Sequence, residues 1–189
     1  RATLLSEADI AALRAWPRNS QTPFQFPWPM PGKPDAWLSF ESFDQWLEKV
    51  TDLTLNEAVP RIVSGKYERA QKLLLLAWID FDLAIAAQLV ALTTLELAVT
   101  DVYGAKADEW AIKTGLKHKP KKKKKKKRED RVETPDLATK LKYMVAEDQL
   151  TDAKIAMNRR CGAGSVIGLL TGDTRPTLAE IRNDHAHGY

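Results

Sequence analysis

The 189-residue chain predicts an all-α fold, a bundle of about four to six helices around one long central helix. Three observations carry that expectation. Residues 66–102 are apolar nearly all round in their middle, as the central helix of a bundle must be. Two capping-box patterns, Ser6 with Asp9 and Thr177 with Glu180, mark helix starts. No alternation of period two survives over a useful length, so strands are not expected.

Taken in chain order, residues 1–16 read as a first helix, with Ser6 and Asp9 ahead of the run IAALRAW. Residues 16–37 hold six prolines, which forbid a long regular element. Phe24, Phe26 and Trp28 make this segment an extended strap laid against the core. In residues 39–50, Phe40, Phe43, Trp46, Leu47 and Val50 recur at helical spacing. Thr54 or Asn56 is a candidate start for another short helix, which Pro60 or Gly65 interrupts. The longest element is expected from about Lys66 to Val102, ending near Gly104 as its C′ glycine. Residues 106–116 suit a further short helix. Thr134 and Pro135 resemble the N-cap and first-turn proline of the next one. Residues 151–160 continue helical, CGAGSVIG (161–168) loosens the chain, and SVIGLL suits a turn of helix. Thr177 then opens the last helix. The organisation expected is an N-terminal region, 1–65, of helices and a proline/aromatic strap, followed by a helical bundle, 66–189.

Composition bounds the function. With 44% hydrophobic and 29% charged residues the chain reads as globular and soluble. One cysteine, Cys161, excludes an internal disulfide framework and fits a reducing cytoplasm. One cysteine and three histidines do not furnish a structural zinc site, and neither metal nor cofactor is expected. The apolar stretch 73–99 is the membrane candidate. Asp80, Asp82 and Glu96 break it, so a core helix is the better reading and no membrane partner is expected.

The formal net charge of +4 conceals an uneven distribution. Residues 117–128 carry ten positive charges and no acid, and removing them leaves the rest of the chain near −6. Lys121, Lys122, Lys123, Lys124, Lys125, Lys126, Lys127 and Arg128 repel one another, so a solvated loop (117–130) is expected. Such a loop attracts phosphate backbones without sequence preference, which makes RNA the partner its charge favours. The glycines of CGAGSVIG lack the preceding strand and the Gly-Lys-Ser/Thr ending of a phosphate-cradling loop, and an interhelical hinge is expected there. Glu96 is different: it interrupts the apolar run LTTLELAVTDVYG, so it is either exposed, paired, or turned toward a site.

The strongest chemistry lies at the C-terminal end, in IRNDHAHGY (181–189). Arg182 offers a planar fork of permanently charged donors suited to phosphate oxygens. Histidine is the side chain suited to moving protons near neutral pH, and His185 and His187 both lie here. Arg182 and His187 are five residues apart, which points them roughly 140° from each other on an ideal helix. They converge only at a helix end or across an interface between two copies.

The order Arg182, Asn183 directly after it, four residues intervening between Arg182 and His187, then Gly188, resembles the signature of the HEPN superfamily (higher eukaryotes and prokaryotes nucleotide-binding). The apolar helix ending TTLELAVTDVYG is similar to that family's central helix, and the resemblance covers residues 66–189. It implies a metal-independent endoribonuclease of toxin–antitoxin or antiviral defence, with a composite active site built by two facing copies. Carried over, Arg182 would stabilise charge on the scissile phosphate. His187 would act as general acid/base for attack by the RNA 2′-hydroxyl, and Asn183 would orient the site. Glu96 and His185 are possible supporting residues. The implied products are a 2′,3′-cyclic phosphate and a 5′-hydroxyl end. Arg182, His187 and Tyr189 further resemble the Arg-x4-His-x-Tyr form of toxins paired with nucleotidyltransferase antitoxins, which silence them by adding AMP to the tyrosine. A different class of function is a catalytically silent module of the same fold that binds RNA, nucleotide or protein. A third is a helical interaction domain whose histidines are incidental.

Overall fold

A computed structural model describes residues 4–17, 23–28, 30–33, 35–116, 136–161 and 165–187. The lysine tract, Thr134, Pro135 and Tyr189 lie outside the described residues. What is described is mostly helical, around one long helix, with a small two-stranded sheet.

The first helix, α1 (Glu7–Ala15), starts at the expected capping box. Ser6 Oγ accepts from the Asp9 N–H at 3.1 Å, and the Asp9 carboxylate accepts from the Ser6 N–H at 3.3 Å. The proline-rich strap is more regular than its sequence suggests: β1 (Phe24–Pro27) pairs antiparallel with β2 (Trp37–Phe40), with Phe24 opposite Phe40. Two strands of four residues, in a segment punctuated by proline, are too short for alternation to register. Ser42 then caps α2 (Phe43–Thr51), so Phe40 belongs to a strand and not to the helix read over 39–50.

Two further boundaries differ from expectation. No helix starts at Thr54 or Asn56; the next one is α3 (Arg61–Leu76), which follows Pro60 and passes through Gly65. The long element is two helices, α3 and α4 (Asp82–Lys113), because the Asp80 carboxylate accepts from the Asp82 N–H at 3.1 Å in a turn that opens α4. α4 then runs through Gly104 and absorbs the short helix expected over 106–116. Its terminating glycine is Gly115, at φ +74°, where a left-handed residue follows the cap.

The remaining elements are α5 (Leu137–Glu147), a 3-10 turn (Asp152–Lys154), α6 (Ala156–Cys161), α7 (Val166–Thr171) and α8 (Leu178–His187). The N-cap of α5 is Asp136, whose side chain accepts from Thr139 N–H at 2.7 Å; Thr134 and Pro135 precede it. Residues 151–160 are a turn and a short helix, not one continuous helix, because Asp152 binds forward to α7.

Two cores hold these elements. In the first, Phe24 from the strap packs edge-on against Trp46 (4.9 Å) and Trp78 (5.5 Å). Trp46 is fully buried and donates from Nε1 to the Leu74 carbonyl at 3.0 Å. Truncating such a residue to alanine costs about 3–5 kcal/mol. This core draws on residues either side of position 65. The second core joins Val99 of α4 to Leu137 and Leu141 of α5 and Leu170 of α7, with Leu178 and Ala179 of α8 against it. It seats α8 against α4.

Candidate functional site

α8 is placed by the loop ahead of it. α7 ends at Gly172, whose φ of +94° suits glycine alone among common residues, and the Gly172 and Thr174 N–H groups both donate to the Gly168 carbonyl at 3.0 Å. That fold-back brings Thr174 so close over Gly168 that a Cβ at 168 would run into its Oγ1. Thr177 and Glu180 then form the expected capping box: the Thr177 N–H donates to Glu180 at 2.8 Å, and the Glu180 N–H donates to Thr177 Oγ1 at 3.1 Å. The second Glu180 oxygen takes Arg175.

On the helix so started, Arg182 turns toward α4. Its Nη2 donates to Glu96, its Nη1 donates to the Asn183 side-chain oxygen at 2.7 Å, and its Nε is buried with no acceptor among the described residues. The side chains of Arg182 and Glu96 are 25% and 27% exposed, so the pair sits between a surface ion pair and a buried one. Loss of one partner therefore leaves a partly desolvated charge. Glu96, the acid that interrupts an apolar helix, is thus explained: it is paired. One turn on, Thr100 Oγ1 accepts from the buried Lys140 Nζ at 2.7 Å.

His185 lies against Gln88 of α4, its Nε2 3.0 Å from the amide oxygen. Arg182 meets residue 96 and His185 meets residue 88, so α8 runs antiparallel to α4. His187 is exposed near the end of α8. The five residues from Arg182 to His187 put them about 7.5 Å apart along the axis and on different sides. The structure therefore brings Arg182, Asn183 and Glu96 together, and sets His187 apart from them.

Beside Arg182 opens a cleft of about 380 Å³ between α5, α7 and α8, reached also by Lys142, Arg175, Thr177 and Asn183. Neither Lys142, Arg175 nor Gln88 stands out in the sequence. Gln88 had one readable signal: it precedes Glu96 by eight residues, which puts both polar breaks on the same side of an apolar helix. Among the described residues no group of three or more His, Cys, Asp or Glu side chains is arranged to hold a metal ion.

A second, more apolar cleft of about 770 Å³ lies between α1, α2 and α3, far along the chain from these residues. No protein-family model matches this chain, and comparison with curated proteins and with solved structures finds no match either.

Proposed function

We propose that this chain is a metal-independent endoribonuclease of the HEPN type, acting in toxin–antitoxin or antiviral defence. The observation that carries the reading is Arg182: a guanidinium held by Glu96 from the central helix and by its neighbour Asn183, at the edge of a polar cleft. An arginine fixed in this way meets a scissile phosphate without paying for its own ordering. His187, exposed on the same helix, is the proton carrier for attack by the RNA 2′-hydroxyl.

In this reading the site is shared between two copies. Arg182 and His187 point apart on one α8, so a second α8 facing the first supplies the complementary pair. α4 favours such a partner. Only 22% of its most apolar 18-residue window is buried, and Ile85 and Val102 are 47% and 59% exposed. The lysine tract raises the local concentration of RNA, and Tyr189 is the position an AMP-adding antitoxin of nucleotidyltransferase type modifies.

One observation favours a second reading, a catalytically silent module that binds RNA, nucleotide or protein: two of the three guanidinium nitrogens of Arg182 are committed within the chain. RNA cleavage in EDTA by wild type, Arg182→Ala and His187→Ala separates the two. The nuclease reading expects cleavage that survives EDTA and is lost in both variants. Undiminished cleavage by both variants, or dependence on a metal, overturns it.

A further inference from the structure

We infer that the cleft between α5, α7 and α8 is a phosphate-binding subsite for one nucleotide of the RNA beside the scissile position, with Lys142 as its cation. The inference rests on the ribonuclease reading and adds a residue and a place to it.

Three carboxylates line the cleft, and each is engaged: Glu96 with Arg182, Glu180 with Arg175 and the Thr177 N–H, and Asp136 with the Thr139 N–H. Each therefore has at least one oxygen occupied by the protein itself, and Glu180 has both. Lys142, half-buried on α5, has no hydrogen bond or ion pair among the described residues. The Asn183 amide nitrogen and the Thr177 hydroxyl proton are likewise without an acceptor there.

A cleft whose carboxylates are each engaged, and whose Lys142 ammonium and Asn183 amide are not, suits a ligand rich in acceptor oxygens. A phosphodiester is such a ligand, and charge-assisted donors bind its oxygens most strongly. The volume of about 380 Å³ lies at the small end of ligand pockets, roughly 300–1,000 Å³, which suits one nucleotide unit and not a longer stretch. The Lys142 ammonium sits beside the Gly172 turn, 3.9 Å from where a Cβ at 172 would stand.

A bland role competes with this one. Lys142 near the C-terminal end of α7 also complements the helix carbonyls, in which case it would support stability alone. The two are separated by RNA binding measured on the full chain. The probe is a fluorescein-labelled hexanucleotide with every 2′-hydroxyl methylated, so that it cannot be cleaved, titrated by anisotropy across a salt series. Lys142→Ala and the stem-preserving Lys142→Gln are compared with Lys72→Ala, which removes an equal charge from an exposed position on α3. Thermal melts report folding.

The subsite expects both Lys142 variants to bind about 5- to 10-fold more weakly, with the log–log salt slope reduced by about 0.7, one single-strand phosphate contact. Lys142→Arg should retain most of the affinity, and Lys72→Ala should change it less than twofold. Folded Lys142 variants that bind like Lys72→Ala, with an unchanged slope, overturn the subsite. Cleavage of unmodified RNA tells the two readings apart. Cleavage that is unaffected by Lys142→Ala sinks the subsite and leaves the nuclease. Lys142-dependent binding with no cleavage by wild type sinks the nuclease and leaves a nucleotide-binding cleft.

Discussion

Arg182 on α8 donates to Glu96 in the middle of α4, across 86 residues of sequence. This contact fixes both a helix and a guanidinium. Glu96→Ala would leave Arg182 partly desolvated and unpaired, at a cost of about 1–3 kcal/mol in urea unfolding. Arg182→Ala would strand Glu96 in the same way. The double variant should be less destabilised than the sum of the two, with a coupling of about 1 kcal/mol. Strict additivity would mean that the pair contributes nothing to docking α8.

Gly168→Ala tests the loop that aims α8. A Cβ there meets Thr174 Oγ1, and the Thr174 Cβ is 3.2 Å away, so the fold-back over α7 must open. Overpacking of this kind costs about 1–3 kcal/mol. Thr174→Gly in the same chain should recover most of the loss, since it removes the atoms that collide. A loss of stability that Thr174→Gly leaves untouched would place the strain elsewhere in α7.

The sequence reveals this loop only in part. Both capping boxes are legible because a cap is local, needing two side chains three residues apart, and both form as read. The division of the long apolar stretch into α3 and α4 is not legible, because the turn depends on one Asp80 hydrogen bond and on burying Trp78 beneath the strap. Gly104 and Gly115 show the same limit. Either glycine can end a helix, and α4 passes the first where Tyr103 and Trp110 pack on Tyr143 of α5. Around the site, Arg182, Asn183 and Glu96 were readable as odd residues in their contexts. Lys142 was not, since a lysine on an amphipathic helix looks like any solvated one until α7 folds over it.

Asp152 gives the chain a dependence on acid. Its carboxylate accepts from the Ile167 N–H at 3.1 Å, from Ser165 Oγ at 2.8 Å and from Asn158 Nδ2 at 2.7 Å, tying the 3-10 turn to α6 and α7. The Ile167 backbone bond is the largest cause holding its pKa below the usual carboxylate value, with Ser165 next. A depressed folded pKa stabilises the fold above the unfolded value, near 3.9, and that contribution is lost as pH falls through the lower folded value. The stability gap between wild type and Asp152→Asn should therefore be constant from neutrality to about pH 5 and should narrow below about pH 4. A gap that widens in acid would reverse the assignment.

Tyr103 behaves oppositely at the alkaline end. Its hydroxyl donates to Asp148 at 2.5 Å, and this bond, with burial and the charge of Asp148 behind it, pushes the phenol up to about 12. A raised folded pKa means stability present below the usual value near 10 and lost as pH rises through about 12. In ultraviolet titration the component near pH 12 should disappear in Tyr103→Phe and move toward 10 in Asp148→Asn. An unchanged high-pH component in Tyr103→Phe would assign it to another tyrosine.

The two described histidines of α8 should separate in activity. His185 is half-buried against Gln88 of α4, while His187 is exposed near the end of α8. A general acid/base must reach the leaving or attacking oxygen, and loss of one typically costs 10²- to 10⁴-fold, roughly. On the proposed ribonuclease reading, His187→Ala should lose RNA cleavage by about that much. His185→Ala and Gln88→Ala should each lose less than about tenfold, since both act only by seating the helix. Arg182→Lys sharpens the comparison: it keeps the charge but loses the planar fork that meets Glu96 and Asn183 together, so cleavage should fall nearly as far as in Arg182→Ala. A profile in which His185→Ala is the severe variant and His187→Ala the mild one would move the proton transfer to the face of α8 that packs on α4, and no second copy would then be required.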